Sequence, residues 1–203
     1  MSTKGNIFVV SAASGTGKTS LLNKLTAENP NVHLAISHTT RTMREGEING
    51  KHYYFVNTDT FEQMIGEGAF IEHARVHNQY YGTSTQEIER LRQSNFDVIL
   101  EIDVQGAEQI RRLLPESIGI FILPPSWEAL EQRLNNRGTE SDDSIALRLK
   151  NSRYEIEQAS LFDYLVVNDD LQQAVDNINH IIAASRFRQT NNSDALISLL
   201  QSR

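Results

Sequence analysis

The sequence predicts an α/β fold: a parallel sheet flanked by helices, carrying an inserted α+β subdomain and a helical lid. Three observations predict it. Apolar runs recur at residues 7–10, 33–36, 97–102, 118–123 and 164–167, separated by stretches of helical periodicity; strands alternating with helices build parallel sheets covered on both faces. The first run leads through a glycine-rich turn into a helix start at Leu21 and Leu22. Between residues 37 and 92 the pattern switches to short aromatic runs punctuated by turns, which reads as a compact insertion on the ligand edge of the sheet.

In chain order, the core opens over residues 5–36, with a helix over 18–27 after the turn. The insertion over 37–92 holds strand segments at Tyr53-Tyr54-Phe55, Ala69-Phe70-Ile71 and Tyr80-Tyr81, a helix near 58–65, and turns at Asn49-Gly50 and Gly66 to Gly68. The core resumes over 93–134, where Pro115 stops a helix over 107–114 and Ser126 caps one over 127–135. A polar stretch from Asn135 to Ser141 opens a lid over 135–159, whose helix starts at Asp142 and carries Arg148 and Arg153. Burying Ile145, Leu149 and Ile156 leaves Arg148 on a flank facing the cleft. The core closes over 160–188 with a long helix from 171 presenting Val175, Ile178, Ile181 and Ile182. The tail over 189–203 is polar, then apolar over 195–200. That segment is too short to hold a helix alone, so it is expected to dock on its own core or on a second subunit as a homo-oligomer contact.

Composition narrows the chemistry. At 203 residues the chain suits a single domain of this kind. A net charge of −7 argues against a nucleic-acid polymer as partner, because such binders need a broad basic face. The absence of cysteine excludes disulfides and thiolate catalysis. No apolar run reaches membrane-spanning length, and the first six residues carry no signal-peptide core, so a cytoplasmic protein with no membrane partner is expected.

The turn comprises Ser11, Ala12, Ala13, Ser14, Gly15, Thr16, Gly17, Lys18, Thr19 and Ser20. Gly15 and Gly17 let successive backbone N–H groups face inward, and the following helix adds its positive N-terminus, so the segment reads as a P-loop for a triphosphate. Lys18 would reach the β- and γ-phosphates, and the Thr19 hydroxyl would ligate Mg²⁺. Ala12 stands where the motif has its first glycine, which requires a negative φ there.

Arg41 and Arg44 sit three apart among hydroxyls and glycines, able to converge on one compact anion. A solvated loop with charge pairs to Glu45 and Glu47 is the alternative. Glu72 is a carboxylate in an apolar strand, and a buried carboxylate needs donors. Guanine offers a donor pair in N1–H and the 2-amino group, with Ser37 or Thr83 for O6; pairing of Glu72 with Arg75 is the alternative. Glu101 and Asp103 end a strand on one face, as a strand does when it delivers an oxygen ligand near Mg²⁺.

Taken together, Ser-x-x-Ser-Gly-x-Gly-Lys-Thr, Ser-His-Thr-Thr-Arg-x-x-Arg-x-Gly-Glu-x-Asn-Gly-x-x-Tyr, Phe-Ile-Glu-x-Ala, Tyr-Tyr-Gly-Thr, Glu-Ile-Asp-x-Gln-Gly, Asn-Arg-Gly and Val-Asn-Asp-Asp resemble the guanylate kinase family, in its bacterial form, over residues 5 to 188. The resemblance implies ATP-dependent phosphorylation of GMP or dGMP on a P-loop NTPase-type core, with Mg²⁺. It puts phosphate contacts on Arg41, Arg44, Tyr53 and Tyr81, and guanine contacts on Ser37, Glu72 and Thr83. Glu101 and Asp103 match the family's acidic pair on the GMP side, with Asp103 also toward the metal. Arg137 and Arg148 match lid arginines that act with Lys18 on the phosphates, and Asn168 and Asp169 lie where the adenine edge is approached. A catalytically inactive scaffold module that binds phosphopeptides, and a P-loop kinase for another acceptor, are the competing classes.

Overall fold

The computed structural model describes residues 5–76, 78–135, 142–188 and 197–201. Its elements run β1 (Ile7–Ala12), α1 (Lys18–Glu28), β2 (Val32–Leu34), β3 (His38–Thr39), β4 (Tyr54–Phe55), α2 (Thr58–Gly66), β5 (Phe70–Val76), β6 (Gln79–Ser84), α3 (Thr85–Gln93), β7 (Asp97–Glu101), α4 (Val104–Leu113), β8 (Ile118–Leu123), α5 (Trp127–Asn135), α6 (Asp142–Glu157), β9 (Tyr164–Val167) and α7 (Leu171–Ser185).

A five-stranded parallel sheet in the order β2-β7-β1-β8-β9 forms the centre. Alternation along its middle strand explains why both faces are covered. Phe8 and Val10 pack with Leu21, Leu25, Ile178 and Ile182 beneath α1 and α7, whereas Ile7 and Val9 pack with Ile88, Leu91, Ala107 and Ile110 beneath α3 and α4. With a side-chain period of two, a central strand must be apolar at every position to fill two cores.

The second sheet has four strands in the order β4-β3-β6-β5 and contains the antiparallel pairs β3·β6 and β5·β6. Phe61 of α2 is fully buried and stacks on Phe70 and Tyr80. The register brings three polar residues together: Glu72 pairs across from Thr83, and Ser37 directly precedes the His38↔Gly82 pair.

Several sequence-predicted bounds move. Asp103 caps α4 through a 2.8 Å hydrogen bond from Gly106 N, so that helix starts at Val104, three residues earlier than the apolar pattern indicates. The helix α3 replaces the end of the expected insertion, β2 begins and ends earlier than residues 33–36, and α7 ends at Ser185. Among the described side chains of α6, Ser152 is the fully buried one, while Ile145, Leu149 and Ile156 are only partly covered. Within the tail, residues 197–201 are helical, with Leu199 72% and Leu200 70% exposed. The rest of the apolar segment expected there lies outside the described residues.

Candidate active site

The glycine-rich turn connects β1 to α1 as its mechanism requires. Gly15 and Gly17 adopt φ of 90° and 87°, the left-handed region that glycine enters without strain, whereas Ala12 is not among the residues with positive φ. Ser11 and Ala12 still belong to β1, pairing with Phe121 and Ile122, so the cradle proper begins at Ala13. Thr16 is buried and ties the loop internally, its hydroxyl donating to Ala13 O at 2.8 Å. Lys18 leads α1 and donates to the Ile102 carbonyl at 3.3 Å, and its Nζ lies 3.8 Å from Glu101 Oε1. The exposed Thr19 hydroxyl donates to the same carboxylate oxygen at 2.8 Å, with exposed Ser20 following.

Two adjoining clefts, of about 730 and 980 Å³, open beside this turn and share Ser37, Tyr53, Tyr81 and Glu101. The first is also lined by Lys18, Glu72 and Asp103, and the second by Thr19, Arg41 and Arg44. The distal end of the first holds a chain of hydroxyls and a carboxylate. Thr83 Oγ donates to Glu72 Oε1 at 2.7 Å, and Ser37 Oγ lies 2.9 Å from Thr83 Oγ. Glu72 is 4% exposed. Burial pushes its carboxyl up to about 7, with the Asp103 charge adding to the rise and the Thr83 hydrogen bond opposing it. Arg75 does not pair with it; that guanidinium sits over the Tyr80 ring.

At the other end Arg41 grips Glu47 with both terminal nitrogens, at 2.7 and 3.0 Å, and lies over the rings of Tyr53 and Phe55. The pair holds the Glu47 carboxyl down at about 2. The charge pair weighed against anion binding is therefore formed for Arg41, and a phosphate must share that guanidinium or displace the carboxylate. Arg44 reaches Glu47 through its backbone N–H at 2.7 Å, and its side chain lines the cleft. Tyr53 meets Tyr81 edge to face at 6.0 Å, and burial with the Glu101 charge pushes the Tyr53 phenol up to about 12.

Two of the expected positions, Asn168 and Asp103, carry contacts within the protein. Asn168 is 5% exposed, and its side-chain amide donates to Thr16 O at 2.7 Å, beneath the P-loop rather than at an open edge; Asp169 beside it is exposed. Asp103 spends one oxygen on the α4 cap, and the acid that meets Thr19 is Glu101. Arg148 is half-buried on α6, and Arg137 lies outside the described residues.

The sequence reading passed over several residues that shape the loop. Arg133 donates to Thr16 O at 3.3 Å and to Asn168 O at 3.0 Å. From α6, Glu155 accepts from Ser14 N at 3.2 Å and Ser152 Oγ reaches Ser14 O at 3.5 Å, joining the helix to the turn. Of these only Ser152 is buried, a polar residue at a covered helix position; Arg133 and Glu155 are half-exposed and carry no such signal.

The guanylate kinase family model matches residues 4–185. A guanylate kinase of Neisseria meningitidis serogroup A is 52% identical over 198 residues, covering 98% of this chain and 97% of that protein. One from Legionella pneumophila is 45% identical over 201 residues, covering 98% and 96%. The crystal structure of guanylate kinase from Anaplasma phagocytophilum superposes with a TM-score of 0.81 at 33% identity, covering 99% of this chain and 96% of that one. With this family match over a P-loop, two clefts and a buried carboxylate, the chain belongs to the guanylate kinase family.

Proposed function

We propose that Glu72, with Thr83 and Ser37, reads the guanine of GMP while the P-loop holds ATP. The reaction is that of the family: ATP-dependent phosphorylation of GMP to GDP. The observation that carries the residue assignment is a nearly fully buried carboxylate lining a cleft, with one oxygen held by the Thr83 hydroxyl and no cation beside it in that lining other than Lys18. N1–H and the 2-amino group of guanine supply two donors on one edge, and the adjoining hydroxyls suit O6. Adenine presents no such donor pair.

Arg41, Arg44, Tyr53 and Tyr81 are assigned to the GMP phosphate, which places its oxygens toward Lys18 and the ATP γ-phosphoryl. The attacking phosphate oxygen is already ionised at neutral pH, so no general base is required; positioning and charge neutralisation carry the catalysis. Lys18, Arg148 and Arg137 are the candidate cations for the transferring group. The hydroxyl of Thr19 and the carboxylate of Glu101 are hard oxygen donors of the kind Mg²⁺ takes alongside phosphates, so the residues present fit that ion, with Asp103 nearby in the same cleft. When bound, Mg²⁺ would neutralise charge on the phosphates.

We further read residues 37–92 as the GMP-binding insertion and 135–159 as the lid over one core, and dGMP as a second acceptor. Among the described residues no helix is long and apolar enough to cross a membrane, and we read the chain as a cytoplasmic enzyme of small-molecule substrates. The exposed leucines of residues 197–201 favour a second subunit as the tail's docking site. The test of the reading is ADP release with ATP and each common nucleoside monophosphate in turn: GMP and dGMP should support turnover, and equal use of AMP would refute it.

A further inference from the structure

We propose that helix α4 positions the guanine-reading carboxylate, with Gly106 leaving the space that Glu72 fills and Gln109 pinning the strand that carries it. The proposal rests on the reading of Glu72 given above. Gly106 sits in the first turn of α4 without a positive φ, so its backbone does not demand glycine, and alanine is intrinsically the better helix residue. Space demands it. A Cβ at this position would lie 2.7 Å from Glu72 Oε2 and 3.4 Å from Ile102; with the other oxygen held by Thr83, the carboxylate could yield only by moving into the cleft it lines, out of its reading position.

One helical turn further, the Gln109 carboxamide spans the peptide groups of His73. Its Oε1 accepts from His73 N at 3.2 Å and its Nε2 donates to His73 O at 2.9 Å. β5 is an edge strand of its sheet, so the outward N–H and C=O of His73 have no strand neighbour. Gln109 supplies both complements, as an adjacent strand would. The residue next to Glu72 in the chain is thereby fixed to a helix of the central core. Side chain and backbone of the reading residue are both registered on α4, and a carboxylate that must meet two donors of one base edge tolerates little displacement: a shift of ~1 Å costs on the order of 10²-fold in rate.

The test measures kcat/KM of the full-length enzyme for GMP and for inosine monophosphate, which lacks the 2-amino group, at saturating ATP. Gly106→Ala should lower kcat/KM for GMP by about 10²-fold. The value for inosine monophosphate should fall less, so that the preference for GMP narrows, and the KM for ATP should be unchanged. Adding Glu72→Asp withdraws the carboxylate by one methylene and should recover part of the GMP activity lost in Gly106→Ala, whereas Glu72→Asp alone loses it. A helix that had merely lost stability would show no such rescue. Gln109→Leu is expected to raise the KM for GMP with ATP unaffected, and it decides the matter if Gly106→Ala does not fold. Wild-type GMP kinetics and preference in the folded variants would overturn the positioning role. The same kinetics in Glu72→Gln, assayed alongside, would instead overturn the reading of Glu72 itself.

Discussion

The Thr19 hydroxyl donates to Glu101 Oε1 across 2.8 Å, closing the P-loop onto the end of β7 with Lys18 Nζ 3.8 Å from the same oxygen. One carboxylate thus faces both the residue expected to hold Mg²⁺ and the cation expected on the phosphates. Glu101→Gln keeps an acceptor for Thr19 but removes the charge. The Mg²⁺ concentration for half-maximal rate should rise roughly 10- to 100-fold. An unchanged Mg²⁺ requirement would move Glu101 to the GMP side alone.

Asn168 supports the loop from beneath. Removing its amide in Asn168→Ala leaves the Thr16 carbonyl with the longer bond from Arg133 as its remaining side-chain donor, and a weakened buried acceptor costs about 1–3 kcal/mol. Thermal unfolding should shift down, and titration with ATP should show weaker binding with GMP binding preserved. Intact ATP binding in a destabilised protein would make Asn168 purely structural.

Glu72 makes the enzyme pH-sensitive in a defined direction. Its folded carboxyl titrates at about 7, above an unfolded value of about 4.3. Between those values the folded state binds more protons, so stability falls as pH rises through the window, by up to ~4 kcal/mol once above it. Glu72→Gln escapes this loss. Its stability relative to wild type should therefore be greater at pH 8 than at pH 5 in denaturant titrations. Donors from guanine favour the ionised carboxyl, so GMP binding at pH 7 should release a fraction of a proton from wild type that Glu72→Gln does not release. Calorimetry in buffers of different ionisation enthalpy reads that difference.

Arg148 tests the lid. If its guanidinium serves the transferring group, Arg148→Ala should lower kcat by ~10³ to 10⁵, the range of arginine fingers, with GMP affinity in the absence of ATP unaltered. An equal loss of GMP affinity would place Arg148 in the acceptor site instead.

The central sheet was legible because β1 must be apolar at successive positions to serve two cores, and the P-loop because its glycines lie between strand and helix in the order phosphate binding needs. Helix α3 was not: Ile88 and Leu91 are its only buried apolar residues, too few in nine positions to show a period. Asp103, two residues past the end of β7, reads as a metal ligand in the sequence, and the hydrogen bond from Gly106 N adds the role of cap to the next helix. Asn168 and Arg133 act on Thr16 across 152 and 117 residues of chain, a relation no local pattern carries. Glu72 was legible as a carboxylate in need of donors; that α4 holds it in place depends on packing.

The most direct test of guanine reading by Glu72 is the steady-state comparison of Glu72→Gln with wild type, with ATP binding followed separately. The amide keeps one acceptor and turns a donor toward a donor of guanine, and sites built on such pairing discriminate by as much as ~10⁴ to 10⁵ in kcat/KM. GMP phosphorylation is predicted to collapse by a large part of that factor while ATP binding survives. Normal GMP phosphorylation by Glu72→Gln would contradict the assignment.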